Sequence, residues 1–216
     1  MESPIDTLFQ AILDGRLEEA LAMLSDAKSR SGLAAAVEGL LEPVLARVGE
    51  AWGQERISLA QGYVAGKVAE LFLSEAGAEA ALSGRGGGRP VVLGNIEDDF
   101  HALGRKMVAA FLRLDGWRVI DLGNDVAPEA FLDAAEESGA RVIGASSMML
   151  STARNIARLR EAIDARGLRG ALRLAVGGAV FAMKPELVRE VGGDGTAPNA
   201  IAAHALFDRL WAEAIA

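Results

Sequence analysis

Asp99 and His101 stand one residue apart just after the apolar run Pro90-Val91-Val92-Leu93-Gly94, and Gly104 completes an Asp-x-His-x-x-Gly spacing. Neutral imidazole is a common metal ligand, and an acid on its second ring nitrogen fixes the tautomer and raises basicity. The chain contains two histidines and no cysteine. Thiolate zinc sites, iron–sulfur clusters, cysteine nucleophiles and disulfides are thereby excluded. The other histidine, His204, falls in the last helical stretch and reads as a surface or packing residue.

For Asp99 and His101 to work together, the apolar run must be the first strand of an α/β half. Their loop then lies at the carboxyl end of that strand, where open α/β sheets bind ligands. The pattern after residue 90 supports this. Short strands are predicted at Val91 to Gly94, Arg118 to Leu122, Val142 to Ala145 and Leu172 to Val176, with a fifth near Gly195-Thr196. Helices are predicted near Ala102 to Leu114, Pro128 to Ser138, Thr152 to Arg166, Lys184 to Val191 and Asn199 to Ala216. Strands separated by helices of this length imply βαβ units and a parallel sheet. The expectation is a five-stranded flavodoxin-like (Rossmann-like) sheet in the order 2-1-3-4-5, with its switch point between strands 1 and 3.

Residues 1–82 carry helical periodicity only. Apolar stripes run through Ile5, Leu8, Phe9 and Ile12, then Leu17, Ala20, Leu21 and Leu24. A third runs from Leu33 through Val48 with a kink expected at Pro43, and a fourth holds Ile57, Tyr63, Val64, Val68, Leu71 and Phe72. Four such stripes with short joints predict a small four-helix bundle. The glycine-rich segment 83–90 reads as a linker, leaving 91–216 as the α/β domain.

Composition narrows the function. The net charge is −8 and no basic block of five or more residues occurs, which argues against nucleic acid or an anionic membrane as the main partner. No apolar stretch reaches membrane-spanning length, and the acidic N-terminus lacks an apolar signal core. A cytoplasmic location is expected. Receiver and flavodoxin chemistry fit poorly. Ser146 stands where a receiver needs a phosphoacceptor aspartate, and Asn95-Ile96-Glu97-Asp98-Asp99 replaces a hydroxyl-rich phosphate loop.

Three further loops belong to the same sheet edge. Ser146-Ser147-Met148-Met149-Leu150-Ser151-Thr152 follows strand 3, Gly177-Gly178 follows strand 4, and Asp121-Leu122-Gly123-Asn124-Asp125-Val126 with Pro128 follows strand 2. Together with Asp99, His101 and Gly104, these resemble the cobalamin-binding domain of methionine synthase and of corrinoid proteins in methyltransferase systems. Gly193-Asp194 matches that pattern less well. Val48-Gly49-Glu50-Ala51-Trp52 followed by Ile57-Ser58-Leu59-Ala60-Gln61 is similar to the helical cap that precedes such domains. Met148 departs from the family's leucine, and Gly62-Tyr63 replaces the Glu-His of light-sensing relatives.

The resemblance implies a base-off corrin with His101 as lower cobalt ligand, Asp99 on the other imidazole nitrogen, and Ser151 or Thr152 extending the relay. It implies a slot for the displaced nucleotide tail lined by Gly104, Ser146, Met148, Gly177 and Gly178, and a cap in which Trp52 covers the reactive face. The implied function is a methyl carrier, itself non-catalytic, between substrate-specific and acceptor-specific methyltransferases. It would hold methylcobalamin or hydroxocobalamin, with adenosylcobalamin as the alternative form. The competing function is a cobalamin-dependent regulatory or light-sensing module acting on a partner protein. Duller roles stand beside these. Trp52 can be bundle core, Met148 and Met149 can fill core gaps, Gly177-Gly178 can be an ordinary turn, and Asp98 can favour a helix N-terminus.

Overall fold

The computed structural model of the protein describes residues 3–82 and 88–214. It divides into two compact units, Met1–Ala76 and Gly77–Ala216. Among the described residues no helix is long and apolar enough to cross a membrane. Of the glycine-rich stretch, residues 83–87 lie outside the described residues, and Pro90 opens the first strand.

In the first unit, helix α1 (Pro4–Leu13) starts behind Ser3, whose hydroxyl accepts the Asp6 N–H at 3.1 Å while the Asp6 carboxylate reaches back to the Ser3 N–H. Such reciprocal capping satisfies two donors that the first helical turn leaves free. Helix α2 (Leu17–Ser31) carries Glu18 and Glu19 in its first turn and Lys28 and Arg30 in its last, matching the helix dipole. The third stripe becomes α3 (Leu33–Ala36), a π turn at Val37–Leu41 and α4 (Glu42–Gly53). The Glu42 N–H reaches back to the Val37 carbonyl, one residue further than in an α-helix. Pro43, which has no N–H to donate, follows directly. The expected kink is therefore a widened turn. Helix α5 (Leu59–Leu82) begins after a second reciprocal cap, between Ser58 and Gln61. Leu8, Ile12, Leu24, Val37, Leu41, Val44, Val68 and Phe72 are buried in this unit, whereas Tyr63 is exposed rather than part of the stripe.

The second unit alternates β1 (Pro90–Asn95), α6 (Leu103–Leu114), β2 (Arg118–Asp121), α7 (Pro128–Ser138) and β3 (Val142–Ser146). It continues with α8 (Leu150–Ala153), α9 (Asn155–Ala165), β4 (Arg173–Gly177), α10 (Ala179–Met183), α11 (Leu187–Glu190) and α12 (Ala203–Glu213). The strands are parallel and ordered β2-β1-β3-β4. Val92, Ile143 and Leu174 pack with Phe131 and Ile156 on one face. Val91, Leu93, Val142 and Ala175 pack with Trp117, Phe207 and Leu210 on the other. A parallel sheet buried on both faces accounts for the continuous apolar strands.

The sheet has four strands, not the expected five. Near Gly195 only an isolated bridge to Ala175 forms. The Asp194 carboxylate accepts the Leu174 N–H at 2.6 Å, taking a donor that a fifth strand would need. Pro198 then removes a further ladder donor. Asn199 lies before α12, its side-chain oxygen accepting the Ala202 N–H at 2.8 Å.

Candidate cofactor-binding site

Parallel register brings three strand ends level. Asn95 pairs with Ser146, and Ser146 with Gly177. The loops that leave these positions form the carboxyl edge of the sheet on both sides of the switch point, so one edge collects residues about 30 to 80 positions apart in sequence.

Asp99 is the hub of that edge. It is fully buried, and its donors come from the end of β1, its own loop, the loop after β3 and the short helix α8. Its Oδ1 accepts the Asn95 Nδ2–H at 2.8 Å and the His101 backbone N–H at 3.0 Å. Its Oδ2 accepts the Met148 N–H at 2.8 Å and the Thr152 hydroxyl at 3.0 Å, with the Ser147 hydroxyl 3.3 Å away. Ser147 and Thr152 are only 2.6 Å apart, and with one proton on each hydroxyl Ser147 donates to Thr152 while Thr152 donates to the acid. Burial alone would push the Asp99 carboxyl up. The Met148 and His101 N–H groups, the Asn95 amide and the Thr152 hydroxyl outweigh it and hold Asp99 below the usual carboxylate range.

His101 is half exposed, with Nδ1 3.4 Å from Asp99 Oδ1. That separation exceeds an ordinary N–H···O bond; Asp99 is bonded to the backbone N–H of His101, and the ring lies beside it. Nδ1 faces the acid, so Nε2 is the nitrogen left for a metal. Among the described residues, no three or more His, Asp or Glu side chains gather to hold a metal ion. A single imidazole suits a metal that arrives with most of its ligands already in place.

The remaining residues divide sharply. Of the two alternatives, Thr152 is the one bonded to Asp99, whereas Ser151 is exposed and is not among the donors to it; Ser147 joins the same network. Met148 contributes its backbone, and its side chain is exposed. A Cβ on Gly104 or Gly177 would meet no atom within 4 Å, so both glycines leave open space. Gly178 has φ +114°, and a Cβ there would overlap the Ser147 backbone carbonyl. Its role is to let the loop after β4 lie against the loop after β3. Trp52 belongs to α4, and its side chain lies outside what is described. Asp98 sits at φ 68°, with its N–H donated to Asp125 Oδ1 at 2.8 Å, so it is a turn residue and not a helix cap.

Three features carried weaker sequence signals. Asn95 and Arg105 are buried polar groups. Arg105 donates to Asn95 Oδ1 at 2.7 Å and to Asn124 Oδ1 at 3.1 Å, and it pairs with Asp121. An asparagine ending an apolar strand, and an arginine on the same helical stripe as Ala109 and Leu112, were the available clues. Phe100, Met148, Met149 and Met183 are large exposed apolar residues on the segments after β1, β3 and β4. With the open space at Gly104 and Gly177, segments that leave this edge of the sheet offer apolar side chains to a broad, largely apolar ligand.

A family model described as a B12 binding domain matches residues 89–205, and a second of the same description matches residues 4–74. A corrinoid protein of Desulfitobacterium hafniense is 32% identical over 203 residues, covering 92% of this chain and 93% of that protein. The chain belongs to the B12-binding corrinoid proteins. Its fold is shared with the monomethylamine corrinoid protein of Methanosarcina barkeri, with a TM-score of 0.81 at 22% identity, covering 95% of this chain and 98% of that one. A chain of the methanol:cobalamin methyltransferase complex MtaBC from the same organism matches at a TM-score of 0.53 and 22% identity, covering 97% of this chain and 80% of that chain. Cobalamin is the cofactor of this family, and the donor set of the site fits it: one half-exposed imidazole, an apolar rim and two glycines that leave room.

Proposed function

We propose that the protein carries methyl groups on cobalamin held base-off, with His101 Nε2 as the lower cobalt ligand. Its partners are a methyltransferase that charges it and a second that discharges it. The observation that carries this reading is the Asp99 hub. A fully buried, ionised acid with four close donors anchors His101 at a ligand-binding sheet edge. Structural relatives from monomethylamine and methanol systems point to a small methylated amine or alcohol as the methyl source.

Bound cobalamin supplies a cobalt centre able to accept and release a methyl group. The chain supplies position. Asp99 holds the His101 backbone and stays charged beside Nδ1, which favours a proton at Nδ1 and leaves Nε2 free to ligate. Ser147 and Thr152 hold Asp99 Oδ2. Gly104, Ser146, Met148, Gly177 and Gly178 would line the slot for the nucleotide tail, with Gly104 and Gly177 keeping it open.

The test is the spectrum of the purified protein loaded with hydroxocobalamin and reduced to Co(II). With ¹⁵N-histidine-labelled protein, the cobalt EPR signal should show splitting from a histidine nitrogen, and His101→Ala should abolish it. An unchanged signal in His101→Ala would defeat the ligand assignment. Methyl transfer to the loaded protein from a methylamine- or methanol-specific methyltransferase would identify the donor.

A further inference from the structure

We propose that Arg105, acting through Asn95, is the positioning residue that orients Asp99 and so sets the pose of His101. This rests on the reading of His101 as the lower ligand. The amide of Asn95 has two chemically different ends, and only one arrangement serves the site. Nδ2 must face Asp99, because an oxygen there would oppose a buried carboxylate. Arg105 enforces that arrangement: a guanidinium can only donate, so its Nε, 2.7 Å from Asn95, holds the oxygen end toward itself. Nδ2 is thereby presented to Asp99 Oδ1 at 2.8 Å and to the His101 carbonyl at 3.1 Å.

His101 is therefore gripped twice. Its N–H is held by Asp99 and its C=O by Asn95, and both holds depend on which way the Asn95 amide points. Arg105 is itself fixed by the Asp121 carboxylate and by Asn124 Oδ1 at 3.1 Å. Asn124 also donates to the Phe100 carbonyl at 3.4 Å. The first turn of α6 thus clamps the loops after β1 and β2 around the histidine. Thr152, Ser147 and Met148 fix only the opposite oxygen of Asp99, so the two sides of the carboxylate have separate supports. Outer groups of this kind are worth 10- to 100-fold in metal affinity.

The test uses the full chain with ¹⁵N-labelled histidine and three substitutions. Arg105→Met removes the donor, Arg105→Lys keeps one, and Asn95→Asp keeps the Arg105 contact while placing an oxygen opposite Asp99. In Arg105→Met and Asn95→Asp, most Co(II) molecules should lose the histidine-derived splitting, and cobalamin affinity should fall by about tenfold or more. Arg105→Lys should retain most of both. In the cobalamin-free protein, the His101 amide should exchange with solvent faster in Asn95→Asp than in the parent. Far-UV circular dichroism confirms that each variant is folded; should Arg105→Met not fold, Arg105→Leu takes its place. Parental splitting and affinity in the folded Arg105 variant, or parental splitting, affinity and His101 exchange in folded Asn95→Asp, would overturn the proposal. Absence of histidine splitting in the parent itself would instead overturn the ligand reading, while the exchange comparison still tests the clamp.

Discussion

The two units of this protein treat buried polarity in opposite ways. In the helical unit, the fully buried side chains are apolar, with Leu8, Ile12, Leu41, Val68 and Phe72 among them. All five buried polar or charged residues found among the described residues, Asn95, Asp99, Arg105, Ser147 and Thr152, belong to the α/β unit. They gather at one end of its sheet. Burying such groups costs free energy unless each one is paired, and here every one has a partner within the cluster. Stability alone would favour the all-apolar solution of the helical unit, so the contrast marks where the molecule has been shaped for something besides folding.

The comparison can be broken most directly at Asp99. Asp99→Ala would strand the buried Met148 and His101 N–H groups and remove one of the two acceptors of the Asn95 amide, while Ser147 and Thr152 keep the Met149 carbonyl; it should cost about 4 kcal/mol in denaturant unfolding of the cobalamin-free protein. A loss below about 1 kcal/mol would mean the network is not the buried hub described. In the helical unit, Leu41→Ala should cost about 3 kcal/mol by the same measurement, through a cavity and without any polar change. Thr152→Val should cost about 1–2 kcal/mol, because Met148 still bonds the same oxygen of Asp99 and the Ser147 hydroxyl, 3.3 Å from it, is then free to donate there.

The difference should also appear in acid. The folded value of Asp99 lies below its ordinary 3.8. Its contribution is therefore present above the unfolded value and is lost as pH falls through the folded one. Asp99→Asn should be less stable than the parent at neutral pH, with the gap narrowing below pH 3.8. A constant gap across that range would contradict an ionised hub. The smallest effect is expected at Ser151, where alanine should change stability by less than about 0.5 kcal/mol. A larger change at Ser151 than at Thr152 would exchange their roles.

Much of this was legible in the chain itself. The apolar runs of β1 and β3 are buried from both faces and admit little except a parallel sheet. The Asp-x-His-x-x-Gly spacing lies where such sheets bind ligands. The fifth strand expected near Gly195-Thr196 does not form, and only the fold shows the Asp194 side chain taking the Leu174 N–H that such a strand would need. Ser151 and Thr152 are neighbours of the same chemical kind. On a helical turn, adjacent residues point about 100° apart, so which of them faces Asp99 depends on how α8 docks on the sheet edge. Ser147 gave no signal of its own, since a serine in a loop is commonplace.

Local pattern was therefore enough for the class of fold and the four strands, because periodicity and turn chemistry act over a few residues and leave direct traces in order and composition. The tertiary structure decided which hydroxyls reach the acid, which end of the Asn95 amide faces it, and which glycine is needed for close packing and which leaves space. Those outcomes depend on groups tens of residues apart meeting within about 3 Å, and hydrogen bonding at that range depends on packing and register rather than on any neighbour in the chain.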